Sequence, residues 1–232
     1  MIEIIGFIPI LTTIFAWFFF LEILKHYKQR KTFYLLWWTL GVLTFGLGTL
    51  SESLHAIFGW HEVNFKFWYI VGALLGGFPL AQGSVYLLMP KKFGHITTVL
   101  IVATILVAST IVILSPVQIP ENFDNRLTGS VFEWQWVRLF SPLINLYAFI
   151  FLFGGAIYSA LKYYRQNDKK VYFKGNIWIA IGALLPGIGG SFTRFGYVEV
   201  LFITELVGLV CIYIGYRMIK RANIRSQQLA TQ

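Results

Sequence analysis

The chain is short of both cysteine and charge. Cys211 is the only cysteine in 232 residues, so no intramolecular disulfide can form. Charged residues make up 12% of the sequence and hydrophobic residues 57%, which is unlike the composition of a soluble domain. The apolar residues form blocks long enough to cross a bilayer core of about 30 Å, which takes about 20 helical residues. Composition therefore predicts an integral, multi-pass membrane protein with the lipid bilayer as its main partner.

The first apolar block also lacks the basic start of a secretory signal peptide. Glu3 precedes this block, and no lysine or arginine occurs before Lys25. A signal peptide begins with a positively charged region. We therefore expect this block to be retained as the first membrane span.

The order of the apolar blocks predicts an all-α membrane protein with seven transmembrane helices. The predicted helices cover roughly residues 4–24, 33–58, 66–89, 96–115, 137–162, 175–194 and 198–219. Residues 1–219 then form a single seven-helix domain. The polar tail at 220–232 is predicted to be disordered.

Lysine and arginine are concentrated at one end of the predicted bundle. The segments 25–32, 91–92 and 162–174, with the tail from Arg217, hold 15 of the 19 lysine and arginine residues. Cytoplasmic loops carry such an excess. We therefore expect an outside N-terminus and a cytoplasmic C-terminus in the cell (plasma) membrane. The net charge of +9 is a topology signal and does not predict nucleic-acid binding.

Two junctions at the basic end of the predicted bundle read almost alike. "LKHYKQR" starts at Leu24 and "LKYYRQN" at Leu161, and each leads into a helix with the same glycine spacing. The matching glycines are Gly41, Gly46 and Gly48 in helix 2 and Gly182, Gly187 and Gly189 in helix 6. This pattern predicts a parallel 3+1+3 repeat with halves at about 4–90 and 137–219 and a linker helix at 96–115, an arrangement that occurs among transporters. Chance convergence of basic loops and small residues is the alternative.

Small residues and prolines mark helices 3 and 6. The residues are Gly72, Gly76 and Pro79 in "GALLGGFPLAQG" and Gly182, Pro186 and Gly187 in "GALLPGIGG". Small residues let helix backbones approach closely in a membrane, and a proline frees a backbone carbonyl. We expect these positions to serve helix packing or to act as hinges. The same small faces would serve a homo-oligomer as easily as an intramolecular contact.

A few polar residues interrupt the apolar spans near their predicted outer ends. Glu52 and His55 continue a small and polar stripe of helix 2, at helical spacing, that should face the bundle. Helix 7 carries Glu205, helix 5 carries Asn145 at a similar depth, and the repeat alignment brings Arg194 near the same level. Charges inside a span are costly and usually pair or line a polar cavity. These five residues are the predicted ligand- or ion-binding site, and a purely structural cluster is the alternative.

The sequence lacks the residues that several known catalytic and cofactor sites require. Helix 7 has no lysine in its span for a retinal Schiff base, and too few histidines lie inside the bundle for bis-histidine haem. "SESLH" resembles a piece of the ceramidase-like intramembrane zinc hydrolases, but the last helix has none of the histidines those enzymes use. We therefore predict no catalytic residue, no metal site and no cofactor.

Three longer segments resemble an uncharacterised family of bacterial seven-helix membrane proteins. They are "WYIVGALLGGFPLAQGSVYLL", "NLYAFIFLFGGAIYSALKYYRQ" and "GNIWIAIGALLPGIGGSFTRFG" with the following "ITEL". The resemblance covers most of the chain and implies the seven-helix architecture but no reaction. At the level of architecture, the 3+1+3 plan is similar to that of transporter, opsin and receptor-like proteins, and a fold by itself gives no function.

Three functions fit this sequence. The first is a small-solute or ion transporter with its site in the outer half of the bundle, where two acids removed from water exchange protons and Arg194 holds an anionic group. The second is an intramembrane enzyme that acts on a lipid or isoprenoid, with Glu52 or Glu205 as general acid or base. The third is a receptor or accessory subunit whose polar cluster is structural. The transporter is the leading hypothesis.

Overall fold

Seven helices form a single bundle in the computed structural model, which describes residues 6–119, 127–193 and 195–229. Each of the seven is long and apolar enough to cross a membrane. They are α1 Ile8–Arg30, α2 Phe33–Phe58, α3 Glu62–Leu88, α4 Lys91–Leu114, α5 Gln135–Tyr164, α6 Asn167–Thr193 and α7 Val198–Leu229. The prediction of seven apolar helices is confirmed, which indicates an integral, multi-pass membrane protein.

α2 has the predicted bounds, and the backbone geometry of the flanking residues explains why the helix stops at both ends. Thr32 is extended, with φ −96° and ψ 147°, and it follows Lys31, whose φ of 47° ends α1. At the other end Gly59 has φ 79°, a left-handed value that suits glycine. Its N–H donates to the His55 carbonyl at 2.9 Å.

The last helix is longer than the sequence predicts. α7 continues to Leu229, so the disorder predicted from residue 220 is not observed as far as Leu229, and residues 230–232 lie outside the described part of the chain. Side-chain contacts hold the extension: Lys220 pairs with Glu22 of α1 at 3.0 Å. The Tyr172 hydroxyl of α6 donates to Asn223 at 2.8 Å. The polar composition of this segment suggests disorder, because the residues that hold the helix in place lie far away in the sequence.

Two of the seven helices are interrupted by π-helical segments. In α3 the segment Tyr69–Leu74 is π-helical, and a regular α-helix resumes only at Phe78. α5 contains a π-helical segment at Phe149–Gly154. The predicted hinge at Gly72, Gly76 and Pro79 therefore coincides with a break in α3. By contrast, the α-helical part of α6 runs without a break from Lys170 to Thr193, through Pro186.

Glycines set the close approach of α6 to α7. A Cβ atom on Gly182 would lie 2.4 Å from the Gly208 carbonyl oxygen, and one on Gly175 would lie 2.7 Å from an Ile219 side-chain atom. Gly189, seven residues beyond Gly182, faces Leu201 in the same way, with its Cβ 2.8 Å from the Leu201 Cα. Since seven residues are nearly two full helical turns, these glycines lie on one face. Gly182 therefore packs directly against α7.

Gly187 does not serve this packing. A Cβ atom built there would meet nothing within 4 Å among the described residues. Gly187 is five residues from Gly182, which turns it by about 140° away from the packing face. Gly187 therefore packs against no other helix in the described part of the chain, and its role as a hinge stays a prediction, while Pro186 contacts α7 through Gly208.

A buried amide attaches α4 to the rest of the bundle. Gln82 of α3 is fully buried, and its amide nitrogen donates to the Gly94 carbonyl at 2.8 Å and to the Thr98 hydroxyl at 2.9 Å, both on α4. Its amide oxygen accepts from the Tyr147 hydroxyl of α5 at 2.6 Å. One side chain thereby links three helices through satisfied polar groups, as buried amides require.

The two ends of the bundle differ in charge. Consecutive helices alternate in direction, so α1, α3 and α5 end where α2, α4 and α6 begin. Contacts between distant helices lie at this end, among them the His26 Nδ1 to Tyr216 hydroxyl hydrogen bond of 2.9 Å. We call it the basic end, because it carries the lysines and arginines of residues 25–31, 91–92, 162–174 and 217–225.

Candidate functional site

Glu52 lies on α2 where that helix crosses α3. The two backbones meet at Gly48 and Gly72, where a Cβ atom on Gly48 would lie 3.4 Å from the Gly72 Cα. Glu52 is one turn beyond Gly48, and Trp68 is one turn before Gly72 on the antiparallel helix. The crossing therefore brings their side chains together, and the Trp68 Nε1 donates to Glu52 Oε1 at 3.0 Å.

A second acid reaches the same point from α7. The carboxyl group of Glu205 lies within hydrogen-bonding reach of the Glu52 carboxyl group. Glu52 is 3% exposed, and Glu205 is half-buried. The Oε2 atoms of both acids are buried and accept no hydrogen bond from an N–H or O–H group of the described residues. We call these two residues the acid pair.

The acid pair has a simple chemical consequence. A carboxylate only accepts hydrogen bonds, and a carboxyl group donates one only when it is protonated. A hydrogen bond between Glu52 and Glu205 therefore requires a proton on one of them. Two carboxylates that share a buried site cannot easily both carry charge. The arrangement is suited to hold one proton between α2 and α7 and to release it.

The lysines and arginines in the described part of the chain do not neutralise the acid pair. In residues 6–119, 127–193 and 195–229, no lysine or arginine forms an ion pair with Glu52 or Glu205. Lys66, which lies on the same α3 segment as Trp68, pairs instead with Glu62 at 2.7 Å. Arg194, the predicted cationic member of the site, lies outside the described residues.

Among the predicted site residues that the structure describes, Glu52 and Glu205 lie together. His55 is half-buried one helical turn beyond Glu52 on α2. Asn145 is exposed on α5 and donates to the Ala73 carbonyl of α3 at 3.5 Å instead of reaching the acid pair. Asn145 therefore belongs to the contact between the interrupted parts of α3 and α5.

Trp68 is a site residue that the sequence reasoning missed. Tryptophans near helix ends are also typical of the interfacial belt of a membrane protein, so the position of Trp68 in the sequence does not by itself assign it to the site. A buried indole N–H usually finds an acceptor, and carboxylates are few in these spans. A search for an acceptor one or two turns along a neighbouring helix would have paired Trp68 with Glu52.

The seven-helix architecture agrees with the family resemblance of the sequence segments but does not establish it. No protein-family model, no curated protein and no solved structure matches the chain.

Proposed function

We propose that the protein is a proton-coupled transporter of a small solute or ion, with the acid pair as its proton site. The observation that carries this proposal is the contact of two carboxyl groups from different helices, each with a buried Oε2 atom and with no lysine or arginine of the described residues paired to it. Ionisable residues inside a membrane span are costly and usually mark an ion or proton pathway.

The position of the pair suits this role. Glu52 is on α2 and Glu205 is on α7, so a change in the separation of these helices would bring their carboxyl groups together or move them apart. When they separate, each acid must find another partner or exchange its proton. Proton binding would thereby be coupled to the arrangement of the bundle, as an alternating-access mechanism requires.

Matching contacts in the two halves of the chain support a 3+1+3 repeat. Gly41 of α2 packs against Leu80 of α3, and Gly182 of α6 packs against Ile212 of α7. Gly48 and Gly189, each seven residues further along, again face the next helix in their own half. Transporters built from parallel repeats place their sites where the halves meet, and the acid pair joins α2 of one half to α7 of the other.

The charge distribution supports an orientation with the basic end in the cytoplasm. The N-terminus would then lie outside the cell membrane and the acid pair in the outer half of the bundle. Protons would reach the pair from the outside and leave it toward the basic end.

A structural role for the same residues is the second candidate. Glu52 is 3% exposed and accepts from Trp68, so the cluster also ties α2, α3 and α7 together. In a receptor or accessory subunit these bonds would fix the helices without moving a proton. The two functions differ in whether neutralising Glu205 changes solute-coupled proton movement or only stability.

Proteoliposomes that enclose a pH-sensitive dye provide the test. Gradients of monocarboxylates, amino acids, sugars, nucleosides, sodium and potassium are imposed one at a time on wild type, Glu205→Gln and Glu133→Gln. Glu133 is the matched control because it is an exposed acid on the connection between α4 and α5. We expect at least one solute to change the internal pH in wild type and Glu133→Gln but not in Glu205→Gln.

The fold of each variant is checked by gel filtration and thermal unfolding. If none of the solutes moves protons in wild type, and Glu205→Gln only melts at a lower temperature, the acid pair is structural. The accessory-subunit function would then replace the transporter.

A further inference from the structure

A cavity of about 120 Å³ opens between the helices at the basic end. α1, α2, α3, α5, α6 and α7 all contribute to its lining, so it lies at the centre of the bundle where the two halves of the chain meet. Trp38 in this lining and Glu52 are fourteen residues apart on α2, a separation of about 21 Å along the helix. Fully buried apolar residues, among them Phe19, Val42 and Leu209, form the core between them. The cavity and the acid pair are therefore separate sites.

One wall of the cavity is aromatic. The rings of Trp38 and Tyr216 are stacked, with centroids 6.3 Å apart and planes at 30°. The Trp38 indole rests on Gly83, where a Cβ atom would lie 2.1 Å from the Trp38 Cδ1, so only glycine leaves room for the ring. This wall offers a flat apolar surface at a fixed position.

The same wall carries an unused hydrogen-bond donor. Trp38 is 8% exposed, and its Nε1 is buried without a hydrogen-bond partner among the described residues. An unpaired buried N–H costs free energy, and buried indoles normally have an acceptor. Tyr34 and Ser159 add hydroxyl groups to the lining. The Trp38 Nε1 itself packs against Gly83, so the hydroxyl groups of Tyr34 and Ser159 are the donors that the lining offers to a ligand oxygen.

Positive charge lies at the edge of the cavity. Lys220, part of the lining, contacts Glu22 Oε1 at 3.0 Å, while Arg217 contacts Glu22 Oε2 at 2.9 Å. Two cations share one carboxylate, so the cluster has an excess of one positive charge. The Lys220 Nζ also lies 5.5 Å from the centre of the Tyr216 ring. The charge is therefore adjacent to the aromatic wall.

We propose that this cavity binds a small solute with a flat apolar body and one carboxylate group. The body would lie against Trp38 and Tyr216, and the carboxylate would offset the excess charge at Lys220. A cation would be repelled by Lys220, and a sugar would leave most of its hydroxyl groups against aromatic rings. The Lys220 Nζ lies 5.5 Å from the centre of the Tyr216 ring, and the Tyr216 ring centre lies 6.3 Å from that of Trp38. These distances suit a solute with a single ring and a short acidic arm.

This inference goes beyond the proposed function, because it rests on the basic-end cavity and holds whether or not the protein transports its ligand. If transport does occur, a solute site that is open at the basic end while the acid pair is buried at the other end corresponds to an inward-facing arrangement.

The test is isothermal titration calorimetry of the full-length protein in phosphatidylcholine nanodiscs. The probes are 3-phenylpropionate and 3-phenylpropanamide, which share a shape and differ in charge. We expect saturable binding of the carboxylate at least about tenfold tighter than binding of the amide, because ionised partners make stronger hydrogen bonds. Lys220→Gln should abolish this tenfold preference. Lys162→Gln, an exposed lysine at the same end, should leave it unchanged.

Two further variants test the position of the site. Ser159→Phe places a ring in the cavity and should abolish binding of both probes. Trp38→Phe shrinks the aromatic wall and should weaken both probes several-fold, which keeps the test decisive if Ser159→Phe does not fold. Neither variant touches Glu205, so failure here and failure of the transport test are distinguishable.

Three results would overturn the proposal. The first is no saturable binding of 3-phenylpropionate to wild type. The second is a preference for the carboxylate that survives Lys220→Gln. The third is displacement of 3-phenylpropionate when phosphatidylglycerol is included in the nanodiscs, which would assign the anionic position to a lipid headgroup instead of a soluble solute.

Discussion

Trp68 of α3 donates its indole hydrogen to Glu52 of α2 at 3.0 Å, one helical turn from the point where Gly48 meets Gly72. The glycine crossing and the hydrogen bond therefore depend on one another. A Cβ atom at Gly48 would already touch the Gly72 backbone, so a side chain that extends beyond Cβ would separate the helices. An apolar residue at Glu52 would leave the indole without its acceptor. The site is thus part of the packing of α2 on α3, and its variants must be chosen to separate charge from packing.

Glu52→Gln and Glu52→Leu separate these two contributions. Glutamine keeps a side-chain oxygen for Trp68 and gains an N–H that can donate to Glu205. The free energy of unfolding of Glu52→Gln should therefore stay close to that of wild type. Leucine leaves the indole N–H and Glu205 without partners, which should cost about 1–3 kcal/mol in the free energy of unfolding. Denaturant titrations of both purified variants provide the measurement. Equal stability of the two variants would show that the Trp68–Glu52 hydrogen bond is not formed.

The acid pair should also be visible by infrared spectroscopy. If one proton is shared between Glu52 and Glu205, wild type has a protonated carboxyl group with its own C=O absorption. Either Glu52→Gln or Glu205→Gln breaks the pair, so both variants should shift or remove this band. Glu133→Gln, which alters an exposed acid, should leave it unchanged. A band that is absent in wild type, or unaffected by both variants, would contradict a shared proton.

The seven spans are predictable because each is a long apolar block. The predicted bounds of α2 also match the structure, in which the positive φ values of Lys31 and Gly59 end α1 and α2. The sequence also identified Glu52 and Glu205 as polar interruptions. It could not show that the two acids meet, because their contact depends on the placement of α7 against α2. The extension of α7 was missed for a similar reason, since Glu22 lies nearly two hundred residues before Lys220.

The sequence also does not predict where the helix backbones become irregular. The π-helical segments Tyr69–Leu74 and Phe149–Gly154 add a residue to a turn without a distinct composition. Gly187 belonged to the glycine spacing shared by α2 and α6, yet it faces open space while Gly182 is tightly packed. Spacing alone does not indicate whether a neighbouring helix lies on that side.

Gly182 and Gly187 therefore form a matched pair for testing helix packing. Gly182→Ala places a methyl group 2.4 Å from the Gly208 carbonyl oxygen, so α6 and α7 must separate. Overpacking of this kind typically costs about 1–3 kcal/mol. Gly187→Ala adds the same group to open space in the same helix, where alanine is favoured over glycine by about 1 kcal/mol. We expect a lower unfolding midpoint for the first variant and an unchanged or higher one for the second, and the reverse order would contradict the packing described.

Gln82 should control the attachment of α4. Gln82→Leu removes hydrogen bonds to Gly94, Thr98 and Tyr147. The Gly94 carbonyl still accepts from Thr97 and the Thr98 hydroxyl still contacts Tyr86, so the Tyr147 hydroxyl is affected most. We expect a loss of about 1–3 kcal/mol in the free energy of unfolding. Proteolysis in the connection that follows α4 should become faster at temperatures where the other helices remain folded. Gln29→Leu, at an exposed position of α1, serves as control and should change neither property.

The last turns of α7 should depend on Glu22. This carboxylate accepts from Arg217 at 2.9 Å and from Lys220 at 3.0 Å, and the pairs are partly buried. Hydrogen bonds to charged groups contribute about 1.5–3 kcal/mol, and Glu22→Gln leaves two like charges side by side without an anion between them. The helix beyond Lys220 should therefore open more often, and trypsin should cleave after Arg221 and Arg225 several-fold faster than in wild type. Glu133→Gln should not change the cleavage rate, and an equal rate in Glu22→Gln would mean that the extension of α7 is held by Asn223 and Gln227 instead.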